Sequence, residues 1–121
     1  MKYFRSTISA IGLVLLSHAF INPAYARPID CRKAEAGIER AICANPELLD
    51  VDFRLSSVYH SVLRSVSGRQ SILGKRIVKS QRLWKAQRNF AWQNRKGRCY
   101  RDDECLVLMY EERIAELEGS R

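Results

Sequence analysis

Apolar residues recur along this chain at helical intervals. The longest run is Leu48, Val51, Leu55, Val58, Val62 and Val66, spaced three or four apart, with Leu49, Phe53, Tyr59 and Leu63 widening the stripe. That spacing predicts an amphipathic helix of five or six turns. A second stripe holds Leu73, Ile77, Trp84 and Ala91, with Leu83, Phe90 and Trp92 beside it. A third holds Leu106, Tyr110, Ile114 and Leu117, with Met109 alongside. A short one, Ile38, Ala41 and Ile42, precedes them all. No stretch shows sustained alternation or hairpin turn chemistry, so strands are not expected. The predicted class is all-α, a small helical hairpin or bundle of three to four helices.

Polar punctuation sets the expected boundaries. The first helix should cover 37–43, with Glu39 complementing the dipole of its first turn. Asn45, Pro46 and Glu47 form the strongest start signal: an N-cap, a proline at the first helical position and an acid behind it. Asp50 and Asp52 add negative charge near the same end. Ser67-Gly68 should end this helix, and a third should run over about 69–95, with Gly74 a weak point in its first turn. Gly97 stops it, and a last helix is expected over 103–117. Trp84 and Trp92 lie two turns apart on one face and should anchor the core, with Tyr59 and Tyr110 opposite.

The N-terminus carries a different pattern. Lys2 and Arg5 precede a mostly apolar run, Ile8 to Ile21, and then Ala24-Tyr25-Ala26. This reads as a cleaved secretory signal peptide at 1–26, too short in its apolar part to span a bilayer, leaving one domain at 27–121 without a transmembrane segment. The full chain has 121 residues and a formal charge of +8. Lys2 and Arg5 leave with the signal, which lowers the charge to +6.

All four cysteines lie beyond the signal, and export makes an even number read as disulfides. Three pairings are open. The two local ones, Cys31–Cys43 and Cys99–Cys105, are favoured, each closing a short loop that stabilises by roughly 2–3 kcal/mol. The first carries a condition. Twelve helical steps span about 18 Å, and bridged Cα atoms lie within about 7 Å. Residues 31–43 must therefore enter as a loop and double back onto a helix starting near Gly37. Zinc is the competing use, but neither spacing suits it and His60 is the single histidine after the signal, so no metal or cofactor is expected.

The framework at this point resembles the lysozyme inhibitor LprI-like N-terminal domain family of bacterial exported proteins. The resemblance runs through Cys31-x2-Ala34-x4-Glu39-x2-Ile42-Cys43, Asn45-Pro46-Glu47-Leu48, Asp50, Asp52, Leu55 and Tyr59. It resumes at Trp92-x6-Cys99-x5-Cys105-Leu106-x3-Tyr110-x2-Arg113-Ile114-x2-Leu117. Members often have Ser/Thr-Pro where this chain has Ala36-Gly37, so the first helix here should lack a capping box. Asn89 stands for a usual Gln, and Lys96-Gly97 for Arg followed by Asp or Asn. The resemblance implies an exported helical protein and, for some members, a proteinaceous inhibitor of lysozyme.

The functional candidates are weighed on this basis. His60 has no nameable catalytic partner, and Asp50 and Asp52, two apart on a helix, point away from each other and complement the dipole rather than form a glycosidase pair. The chain reads as a non-enzyme. Its basic third helix (Lys75, Arg76, Lys79, Arg82, Lys85, Arg88, Arg95, Lys96) suggests an anionic partner. Export argues against nucleic acid and leaves lipopolysaccharide or anionic phospholipid, the basis of an alternative reading as an envelope-associated structural or anion-binding module. The inhibitor reading meets a charge problem, because lysozymes are typically basic. It needs an acidic contact surface, and two are candidates: Glu47, Asp50 and Asp52, or Asp102, Asp103 and Glu104 inside the Cys99–Cys105 ring. A helix cap is the competing role for Asp102 or Asp103.

Overall fold

The computed structural model describes residues 29–120; the signal peptide read at 1–26 lies outside them. After a short 3-10 turn at Cys31–Lys33, the chain forms four helices: α1 (Gly37–Ala44), α2 (Pro46–Ser65), α3 (Ile72–Gln93) and α4 (Asp103–Glu118). The described residues contain no strand. Both local cysteine pairs are disulfides, with Cα–Cα distances of 5.6 Å for Cys31–Cys43 and 5.3 Å for Cys99–Cys105. The 3-10 turn is the doubling-back that the first bridge requires.

Three of the four helices begin at a side-chain cap. Asn45 Oδ1 accepts from the backbone N–H of Glu47 (3.0 Å) and Leu48 (3.3 Å), and Pro46 needs no partner at the first position. Asp102 accepts from Cys105 N–H at the start of α4. Ala36 makes no side-chain cap for α1. The third helix departs from expectation at both ends, since its sequence pattern suggests 69–95. Ser71 caps it, accepting from Gly74 N–H at 2.9 Å, so it starts at Ile72, and Asn94 ends it. Gly74 has a use beyond weakening a turn. The α2–α3 connection, with Ser67 and Gly68 in the left-handed region, folds back so closely that a methyl group at Gly74 would lie 1.9 Å from the Gly68 carbonyl oxygen.

Packing direction follows from the cross-helix contacts. Asn45 meets Asp103, Asp52 meets Tyr110, and Arg54 meets Glu111, so α2 and α4 run parallel. Trp92 meets Asp103, Arg88 meets Tyr110, and Ser80 meets Arg113, so α3 runs antiparallel to α4. The core is built where α2 and α4 face each other and α1 closes over them. Ile38, Ile42, Leu48, Val62, Leu106 and Tyr110 are fully buried there. Burying each of the aliphatic side chains contributes about 1.5–3 kcal/mol. Trp84 packs edge-on against Tyr110, with ring centroids 5.0 Å apart. Trp92 is half-buried at the edge of this core, and Tyr59 is half-buried on α2.

The interior is also polar in places the charge pattern assigned to the surface. Asp52 (7% exposed) and Arg88 (7%) are inside, as are Gln81, Arg113 and His60. Tyr110 donates to Asp52 Oδ1 at 2.8 Å, Arg88 donates to Tyr110 Oη at 3.0 Å, and Arg88 lies 3.8 Å from Asp52. Burial pushes the Tyr110 hydroxyl above its ordinary pKa of 10.0. Arg113 donates to Gln81 and Ser80, which fastens α4 to α3. Every buried side-chain polar atom among the described residues has a hydrogen-bond partner. These groups tie three helices together through directed bonds, where apolar packing alone would permit sliding.

Candidate functional site

The two acidic clusters read from the sequence belong to one end of the molecule. Because α2 and α4 are parallel, their N-termini sit side by side, and a single amide joins them. Asn45 Nδ2 donates to Asp103 Oδ2 at 3.1 Å, while Asn45 Oδ1 caps α2. Trp92 Nε1 donates to the other oxygen, Asp103 Oδ1, at 3.1 Å. Asp103 thus receives α2 and the end of α3 on one carboxylate.

The ring between Cys99 and Cys105 is held to α3 by its backbone. Cys99 N–H donates to Ala91 O and Arg101 N–H to Trp92 O, both at 3.0 Å. Gly97 permits this approach, since a methyl group there would lie 2.2 Å from Ala91 O. Asp102 caps α4 and stays exposed, Glu104 is exposed, and Tyr100 is exposed with the Arg101 guanidinium 5.6 Å over its ring. A ring so fixed loses little entropy when it meets a partner.

Not all six acidic candidates face solvent. Glu47 and Asp50 do, and Asp50 pairs with Arg54 (3.3 Å), which also reaches Glu111 on α4. Asp52 does not. It is turned into the core, where the backbone N–H of Ile29 (3.1 Å) and the Tyr110 hydroxyl bind its two oxygens. The sequence offered a signal for this: Asp52 stands four after Leu48 and three before Leu55, inside the apolar stripe. Glu47, Asp102 and Glu104 remain as the exposed acids of this end, with Asp50 beside them.

A second region lies on the flank where α2 and α3 diverge. A groove of 530 Å³ opens between them, with Asp52, Gln81 and Arg88 in its lining together with Tyr59, Arg82 and Lys85. A shallower depression of 280 Å³ adjoins it and shares Arg69, Val78 and Arg82, adding Lys75 and Lys79. Partial desolvation against the groove wall, with help from Arg88, lowers the pKa of the otherwise exposed Lys85. Burial raises that of Tyr59, and the positive charges of Arg69 and Arg82 oppose the rise. Arg88, expected on the solvated basic face, belongs instead to the buried network below the groove.

Among the described residues no group of three or more His, Cys, Asp or Glu is placed to hold a metal ion, and none of the cysteines is free. No helix among them is long and apolar enough to cross a membrane. Fold and geometry together define a disulfide-stapled helical domain with an ordered acidic end and a basic flank. Residues 31–117, which take in both disulfides and nearly all of the four helices, match the family described as Lysozyme inhibitor LprI. The chain belongs to that family. No curated protein and no solved structure matches it.

Proposed function

We propose that this chain is an exported inhibitor of lysozyme or a related muramidase, and that its acidic end makes the contact. The family match over 31–117 supports the inhibitor role. The observation that carries the choice of surface is the Asn45–Asp103 hydrogen bond, which puts Glu47 next to the Cys99–Cys105 ring. An acidic surface of this kind suits a basic enzyme despite a net charge that repels one at long range. Two disulfides suit an oxidising compartment, in keeping with the signal read at 1–26. A role in binding is supported by Asp52, the buried carboxylate of the pair read at 50 and 52, which is held by Tyr110 and Ile29 and so does not form a catalytic pair with Asp50.

A turbidity assay tests this. The purified oxidised protein should slow the clearing of a peptidoglycan suspension by at least one class of lysozyme, and more strongly at low salt. If excess protein slows none of them, the inhibitor reading is wrong. If it inhibits and Glu47→Lys/Glu104→Lys inhibits equally well, another surface makes the contact.

A further inference from the structure

We infer that the trough between α2 and α3 is a binding site for an anionic glycan strand, the class of wall polymer that a muramidase cleaves. The trough's affinity for anions stands on its own geometry. The choice of glycan rests on the inhibitor reading.

The first argument is unbalanced charge. Arg69, Arg82 and Lys85 line the groove between α2 and α3, and Lys75 and Lys79 line the adjoining depression along α3, with Arg69 and Arg82 common to both. Among the described residues none of these five has a carboxylate within 4.0 Å, whereas Arg98 and Arg113 each have one and Arg54 has two. Glu39 lines the groove, and the other carboxylate there, Asp52, is already held by Tyr110 and Ile29. Like charges gathered in this way repel one another, and a bound polyanion relieves the repulsion.

The second argument is shape. From Lys75 to Asn89 helix α3 rises about 21 Å, so the two depressions along it suit an extended ligand rather than a single small anion. The trough is concave, with the buried Asp52 and Arg88 lining its inner part, which fits a strand better than a flat bilayer.

The third argument is the neutral lining. Ser56 and Asn89 offer hydroxyl and amide groups, and Tyr59 and Leu55 offer a partly apolar wall. That mixture suits sugar rings carrying carboxylates at intervals. Binding the strand would hold the inhibitor where the enzyme works, and it gives the net positive charge a use that a basic enzyme cannot supply.

Co-sedimentation tests the proposal. The oxidised protein is mixed with insoluble peptidoglycan, with insoluble chitin as the neutral polymer, and with phosphatidylcholine vesicles containing phosphatidylglycerol. Binding to peptidoglycan should exceed binding to chitin by about tenfold or more, and fall by a similar factor at high salt. Arg82→Glu/Lys85→Glu and Lys75→Glu/Lys79→Glu, all at exposed positions, should each weaken it by about tenfold with unchanged circular dichroism. Equal binding to chitin, retention in both double variants, or capture by the vesicles alone would overturn the proposal. The two readings fail separately. Inhibition of the hydrolysis of soluble neutral chitooligosaccharides should survive the trough variants. A protein that inhibits but sediments with neither polymer overturns the trough proposal only. One that binds peptidoglycan through the trough but inhibits no lysozyme overturns the inhibitor reading only.

Discussion

The acidic end and the basic flank use charge in opposite ways. At the acidic end most carboxylates are committed: Asp102 caps α4, Asp103 joins Asn45 to Trp92, and Asp50 pairs with Arg54. Glu47 and Glu104 complete a surface already organised by the fold. On the flank the cations of α3 stand in a trough with almost no counter-charge. One region is rigid because its charges are satisfied inside the molecule. The other is available because its charges are not. Net charge describes neither of them, since it averages over a surface whose two parts should attract opposite partners.

The largest expected effect strikes what lies beneath both regions. Asp52→Ala would leave Arg88 buried without its carboxylate, at a cost of about 3–5 kcal/mol. Urea unfolding should show the loss, and binding at both surfaces should weaken together. A variant that keeps full stability would mean that the Asp52–Tyr110–Arg88 network does not couple the two regions.

Next comes Cys99→Ser/Cys105→Ser, which should lower stability by about 2 kcal/mol. It should weaken inhibition through a loosened ring and leave peptidoglycan sedimentation unchanged. Loss of both activities in a folded variant would break the division between the regions.

Asp103→Ala should follow, at about 1–2 kcal/mol, because the Trp92 and Asn45 donors lose their acceptor. A shifted tryptophan fluorescence spectrum would report the freed indole. Here too the acidic end should suffer and the trough should not.

The smallest effect is a gain. Ala36→Ser supplies the missing cap of α1 and should stabilise by up to about 1 kcal/mol, seen as a raised thermal midpoint. It touches neither surface, so inhibition and glycan binding should both stay as they are.

Much of the fold was legible because local rules and global packing agree. Asn45-Pro46 marked the start of α2, and close spacing marked both disulfides. The third helix is shorter than its sequence pattern suggests because its ends depend on Ser71 and Asn94, single polar residues inside a stretch dense with helix-compatible side chains. Asp52 and Arg88 lie inside, against the surface positions their charge suggests, for a related reason. Asp52 lies between Leu48 and Leu55, and Arg88 between Trp84 and Ala91, each on its helix's apolar stripe. Charge type argued for the surface, while position argued for the core, and position won because each found a partner on a neighbouring helix. Both acidic clusters were visible in the sequence. Their meeting was not, because it depends on α2 and α4 running parallel, which no local pattern encodes.

The two disulfides have a consequence for how the protein matures. Each joins a cysteine to its nearest neighbour in the chain, at separations of 12 and 6 residues. Closure of a short flexible loop is the fastest and least costly in entropy. The first thiols to meet after reduction are therefore the correct ones, and the competing pairings all require contact between distant parts of the chain. Oxidation in this protein can run ahead of tertiary assembly without trapping it, so the reduced chain should reach its final bonds with a simple oxidant and little need for reshuffling.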